Sequence, residues 1–145
     1  MIENNVSQLD QEMVLVCGPS CIGKSYFLKQ HQYQGHKWKH VSSTSRLNTI
    51  LTDNHLSKKR AIILGVPCSE WRKRIKNRYC GTGEEEKRMK GFEDITKFTK
   101  NYKNTYIKWI EKLDYLNIPY IFIDSRNNYP TLDKSSFFTM LTEHD

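Results

Sequence analysis

The chain has 145 residues, 23 basic against 16 acidic, and a formal net charge of +7. That length carries one domain, 1–145, with a real core, and the charge suits an anionic partner such as a nucleotide or nucleic acid. No apolar run approaches the roughly 18 residues of a membrane span and no apolar stretch follows a charged start, so neither a membrane-spanning helix nor a signal peptide is expected and the cytoplasm is the expected location.

In chain order, Met1 to Glu12 is polar and reads as a loose arm. Met13-Val14-Leu15-Val16-Cys17 is continuously apolar, as in a parallel strand covered on both faces. Gly18-Pro19-Ser20-Cys21-Ile22-Gly23-Lys24-Ser25 follows it and fits G-x-x-x-x-G-K-[ST] at every position. A helix is expected from there to about Gln32. Strand, Gly-rich loop and helix start together make a phosphate cradle. Gly18 and Gly23 let the backbone turn tightly, so that successive N–H groups and the positive end of the helix face the anion. Lys24 then reaches the β- and γ-phosphates of a nucleoside triphosphate, and the Ser25 hydroxyl completes the shell of a Mg²⁺ ion.

Beyond Gly35, Trp38 to Ser42 reads as a short strand, and the Ser/Thr/Asn-rich stretch through Asn48 has loop chemistry. Asn48-Thr49-Ile50-Leu51-Thr52-Asp53-Asn54 reads as a weakly apolar strand ending in an acid. Asp53 is then either a carboxylate facing the loop and its metal, or an ordinary turn or N-cap residue. Arg60 to Pro67 holds another consecutive apolar run. Ser69 can cap a basic helix from Glu70 to about Tyr79, in which Arg74 and Arg78 are four apart and share a face. If that helix closes over the loop, these two are the best charge clamps, since guanidinium binds phosphate oxygens bidentately. Residues 79–92, with Gly81-Thr82-Gly83 and a charged run, suit a mobile lid.

A long helix is expected from Glu93 to Leu116, with an apolar stripe through Ile95, Phe98, Tyr102, Tyr106, Trp109 or Ile110, Leu113 and Leu116. The stripe reads as core rather than as a nucleic-acid platform. Ile118 to Asp124 is a strand, Ser125 to Pro130 a loop, and Ser135 to Leu141 a short helix. The order gives an α/β fold, a three-layer sandwich with a mostly parallel central sheet. Cys17 and Cys21 are placed by the phosphate loop's own logic, Cys68 and Cys80 lack tight metal-ligand spacing, and all four read as reduced thiols. Richness in Lys, Asn, Ile and Tyr points to an AT-rich coding genome, as in a phage or low-GC bacterium.

Three stretches carry a resemblance. The phosphate loop is one. The strand, Pro and helix from Ala61 to Arg78, with Arg74-Ile75-x-x-Arg78, resembles the opening of a kinase lid. Tyr120-Ile121-Phe122-Ile123-Asp124-Ser125 is similar to a last core strand, and 48–54 more weakly to an Asp-x-x-Asn region. The chain thus resembles the P-loop nucleotide and nucleoside kinases, polynucleotide-kinase-like members included, in a minimal form. The resemblance implies a P-loop kinase-like fold with a small lid and an ATP-dependent phosphotransferase. Gly18 to Ser25 would bind ATP phosphates and Mg²⁺, and Asp53 would be a general-base or metal-side carboxylate. Arg74 and Arg78 would be lid arginines, and Asp124, Ser125 and Arg126 would lie near the adenine or the sheet's carboxyl edge.

Only about thirty residues separate Leu28 from Ala61, where such kinases hold their acceptor. Ser43, Thr44, Ser45 and Arg46 can form a small acceptor loop, with Arg46 on an acceptor phosphate. A nucleoside, a nucleotide or a nucleic-acid 5′ end fits as acceptor. Two other classes compete: a degenerate nucleotide-binding protein that regulates a partner, and a nucleic-acid-binding protein using the basic helix.

Overall fold

The structure, a computed structural model, describes residues 12–19, 22–31, 37–53, 57–80, 101–126 and 128–142. Its elements in order are β1 (Met13–Cys17), α1 (Lys24–His31), β2 (Lys37–Val41), α2 (Thr44–Asp53), β3 (Lys59–Gly65) and α3 (Cys68–Cys80). Then come α4 (101–115), β4 (Tyr120–Asp124), β5 (Thr131–Leu132) and α5 (Lys134–Leu141). The fold is mixed α/β, built on a five-stranded sheet of order β2-β1-β3-β4-β5. The first four strands are parallel and β5 is antiparallel.

The consecutive apolar residues of β1 are all buried, because both faces of the central strand are covered. β1 pairs with β2 on one side and β3 on the other, with Cys17 level with Val41 and Ile63. The chain therefore reverses its direction of travel across the sheet at β1. In open parallel sheets such a reversal leaves a crevice at the strands' carboxyl ends, and ligands bind there. The loop after β1 opens onto that crevice.

One expectation fails instructively. Residues 44–53 form a helix, not a loop followed by a strand. Leu47, Ile50 and Leu51 are the buried residues, at the spacing of one helical face. Ser43 starts the helix, its Oγ accepting from the Arg46 N–H at 3.1 Å. The Thr49 and Thr52 hydroxyls donate to the carbonyls one turn back, at 3.1 and 2.8 Å. The Ser/Thr/Asn content that looked like loop chemistry thus satisfies itself within the helix. A second correction is smaller. α3 begins at Cys68, directly behind Pro67, whose carbonyl accepts from the Trp71 N–H at 3.0 Å, so Ser69 lies inside the helix.

The stripe of α4 is core. Tyr102, Tyr106, Trp109, Ile110 and Leu113 are buried, while Leu116 lies beyond the helix and is exposed. Tyr102 stacks on Trp71 of α3 at 4.8 Å, and Tyr106 meets Trp109 and Phe137 edge-on. Burying each such ring is worth about 1.5–3 kcal/mol. Two hydroxyls go with them. Tyr106 Oη donates to the Leu64 carbonyl and Tyr102 Oη to the Val66 carbonyl, each at 2.7 Å. These carbonyls lie past the level at which β1 ends, so tyrosine replaces the missing strand partner. Burial pushes both phenols above the ordinary tyrosine range. Of the lid segment expected over 79–92, residues 79 and 80 are the last of α3, while 81–92, like Ile95 and Phe98, lie outside the described residues.

β3 ends in a contact that admits no side chain. A Cβ on Gly65 would stand 2.5 Å from Phe137 Cζ and 3.0 Å from Leu141 Cδ2. Phe137 is fully buried and cannot swing away. Gly65→Ala is therefore expected to destabilise the protein by about 1–3 kcal/mol through overpacking. Urea unfolding measures this, and an unchanged midpoint would show that α5 shifts freely.

Candidate functional site

The crevice is built from the loop between β1 and α1. Gly18 leaves the strand with its N–H on the Val41 carbonyl at 2.9 Å, which holds the carboxyl end of β2 beside the loop. A Cβ at Gly18 would meet Ile22 Cγ2 at 2.6 Å and the Leu64 carbonyl at 3.2 Å. Ile22 itself is buried. Gly23 has φ +101°, a left-handed conformation that a side chain would strain. The two glycines of the motif thus answer two different demands: close packing at the first and backbone sign at the second. Ser20 and Cys21 lie outside the described residues.

Lys24 opens α1 and is only 9% exposed. Its Nζ donates to the Gly18 carbonyl and, at 2.9 Å, to the Pro19 carbonyl. A buried ammonium among carbonyls, at a helix start whose first N–H groups have no intrahelical acceptor, favours an anion. Ser25, one residue on, is exposed.

A second layer braces the loop from α3 and β4. Arg74 Nη1 donates to the Ile22 carbonyl at 2.9 Å, and Ser125 Oγ donates to the same carbonyl at 2.7 Å. Arg74 Nε pairs with Glu70 at 3.3 Å. Ser125 is tied to the sheet by its N–H on the Gly65 carbonyl at 2.8 Å. Arg126 grips the buried Asp124 carboxylate through Nε and Nη2, at 2.9 and 2.8 Å. A cavity of about 600 Å³ opens here, bordered by Gly23, Arg74, Ser125, Arg126, Tyr26 and Tyr129.

The residues singled out in the sequence divide accordingly. Gly18, Pro19, Ile22, Gly23, Lys24, Ser25, Arg74 and Arg126 come together at the carboxyl edge of the sheet. Arg46 reaches the same edge, exposed in the first turn of α2, which begins just after β2. Asp53 does not. It is the last residue of α2, which runs back from the carboxyl end of β2 towards the start of β3. Ten residues of helix span about 15 Å, so Asp53 faces the opposite edge of the sheet. With the 48–54 strand gone, so is the ground for a metal-side carboxylate at Asp53. The side chain of Arg78 lies outside the described residues. Among the described residues, no three His, Cys, Asp or Glu side chains gather as a metal site. A metal in this crevice would rest on Ser25 and on a ligand's own oxygens.

Sequence reasoning missed Tyr26, Tyr129 and His40. Tyr26 follows the motif directly, and Tyr129 sits in an Asn-Asn-Tyr-Pro turn, but neither pattern names a role. His40 lies on β2 level with Val16. Burial, and then the Lys24 charge, hold its imidazole below the ordinary value of 6.5. Cys17 is pushed up to about 12 by burial and stays a thiol. The outer face of α3 exposes Arg72, Lys73 and Lys76.

His40 gives a pH dependence with a fixed sign. Its folded pKa lies below the unfolded one, so across that window the unfolded chain binds more protons. Stability is therefore complete above the ordinary imidazole value and falls as acid charges His40. Melting between about pH 8 and about pH 5 is expected to show this loss, and His40→Gln to reduce it. An identical acid profile in the variant would remove His40 from the account. No protein-family model matches the chain, and no curated protein matches it.

Proposed function

We propose that the protein is an ATP-dependent phosphotransferase of the P-loop kinase kind, acting on a nucleoside, a nucleotide or a nucleic-acid 5′ end. The observation that carries this reading is the buried Lys24 ammonium, held over its own loop beside a left-handed Gly23 at the mouth of a cavity. An anion matches that setting, and the motif spacing selects a nucleoside triphosphate among anions.

In this reading Lys24 turns from the Gly18 and Pro19 carbonyls to the β- and γ-phosphates. The loop N–H groups hold the phosphate oxygens. Phosphoryl transfer needs little more than positioning and positive charge. Ser25, with the nucleotide's own oxygens, would hold a Mg²⁺ ion, which would supply further positive charge. Arg74 already lies against the loop and fixes where the nucleotide sits, while Arg78, one turn further, is the lid candidate. The acceptor enters over Ser43 to Arg46, beside the loop because Val41 is tied to Gly18. Arg126 borders the space left for the adenosine moiety.

One observation favours a second reading. Asp53 stands at the far edge of the sheet, so the carboxylate assigned to activate an acceptor is not at the loop. A protein that binds ATP without transferring phosphate is the alternative. The test follows label from γ-labelled ATP into pooled nucleosides, nucleotides and oligonucleotides. Label in one acceptor class supports transfer, and tight ATP binding with no labelled acceptor supports the binding protein. Lys24→Ala is expected to lower transfer about a hundredfold or more. Unchanged turnover in that variant would sink the phosphate-loop mechanism.

A further inference from the structure

The turn between β4 and β5 is strained in a way its neighbours do not require. Asn128 has φ 67° and Tyr129 has φ 55°, two left-handed residues in succession. Asparagine tolerates this conformation, but a bulky aromatic does so rarely. The turn closes tightly, with the Tyr129 N–H on the Arg126 carbonyl at 3.2 Å and the Asp124 N–H on the Pro130 carbonyl at 3.0 Å. Strain of this sort concentrates at ligand sites, so the observed outlier invites a functional account.

The ring supplies one. Tyr129 is carried over α1, where Phe27 meets it edge-on at 5.3 Å and 70°. Phe27 is buried, so Tyr129 is fixed on that side. Tyr26 lies 6.3 Å away and tilted by 33°. A base sandwiched between two rings needs about 7 Å between parallel planes, twice an ordinary carbon contact. The pair is too close and too tilted for that. The two rings are neighbours instead, and both border the cavity that begins at Gly23.

We propose that Tyr129, extended by Tyr26, is the stacking shelf for the nucleobase of the bound triphosphate. Tyr129 is then a specificity-determining residue. This rests on the phosphate-loop reading above and adds to it how the base is held. Base and phosphates are recognised by separate groups: the shelf takes the flat π-face, and Lys24 with the loop takes the charge. Aromatic stacking is tolerant of base identity, so the shelf distinguishes nucleotides from simple polyphosphates rather than one base from another.

The experiment measures binding of Mg-ATP and of magnesium tripolyphosphate to the wild-type chain, Tyr129→Phe and Tyr129→Asn. Asparagine removes the ring while accepting the left-handed backbone. The wild type is expected to bind ATP more tightly than tripolyphosphate. Tyr129→Asn should lose about tenfold in ATP affinity, with tripolyphosphate unchanged, and Tyr129→Phe should stay within about twofold of the wild type. Equal ATP affinity in Tyr129→Asn overturns the shelf. A parallel loss for both ligands also overturns it, since the ring would then only be supporting the loop. Tripolyphosphate bound by the wild type as tightly as ATP overturns the shelf and leaves the phosphate loop standing. Failure of the wild type to bind either ligand overturns both.

Discussion

A single carbonyl oxygen, that of Ile22, joins the parts of this molecule that matter most. Arg74 reaches it from α3 and Ser125 from the end of β4, so three segments distant in sequence converge on one acceptor. The geometry depends on Gly23, whose left-handed backbone turns the chain just after Ile22 and into α1. Without that turn the helix start, the Lys24 ammonium and the bracing residues would not face one crevice. A carbonyl has two lone pairs, and here both are used by side chains rather than by another strand. The loop is thus held from outside, by residues that belong to the cavity wall.

Behind this joint stands a sheet whose central strand β1 is wholly buried and whose strands' carboxyl ends stop at different levels. β1 ends opposite Ile63, while β3 continues to Gly65. The extra length of β3 leaves carbonyls without a strand partner, and α4 supplies Tyr106 and Tyr102 to accept the role. The tyrosines therefore do two things at once: they fill the core beside Trp71, Trp109 and Phe137, and they finish the strand that forms one wall of the crevice. Packing and site geometry are not separable at this edge.

Much of this was legible in the residues, and what was not has physical reasons. β1 announces itself because a strand covered on both faces has no polar positions to blur the pattern, and β3 and β4 because their apolar residues still run consecutively. The motif from Gly18 to Ser25 could be read because its two glycines, Gly18 and Gly23, each answer a local demand of packing or backbone sign. α2 was misread because Ser, Thr and Asn carry two meanings. The same hydroxyls that stabilise turns can bond one turn back within a helix, and only the Leu47, Ile50, Leu51 spacing decides between them. Asp53 then went to the wrong edge of the sheet, since a helix carries its last residue away from the strand end that a strand would have reached. Tyr129 was invisible for another reason: its importance lies in a backbone angle and a ring position, neither of which has a sequence signature.

The sheet's two margins differ in a way that bears on solubility. β5 covers β4 only at Phe122 and Ile123, and among the described strands β2 forms the opposite margin. β2 reads Lys37-Trp38-Lys39-His40-Val41, with a lysine at alternate positions. A strand edge is a template for pairing with another copy, and lysines along it make such pairing bury like charges against each other. With a net charge of +7 over the whole chain, approach of a second molecule is opposed at long range as well. The basic character first read as attraction for an anion also suits β2 as the margin among the described strands, where like charges oppose pairing with another copy.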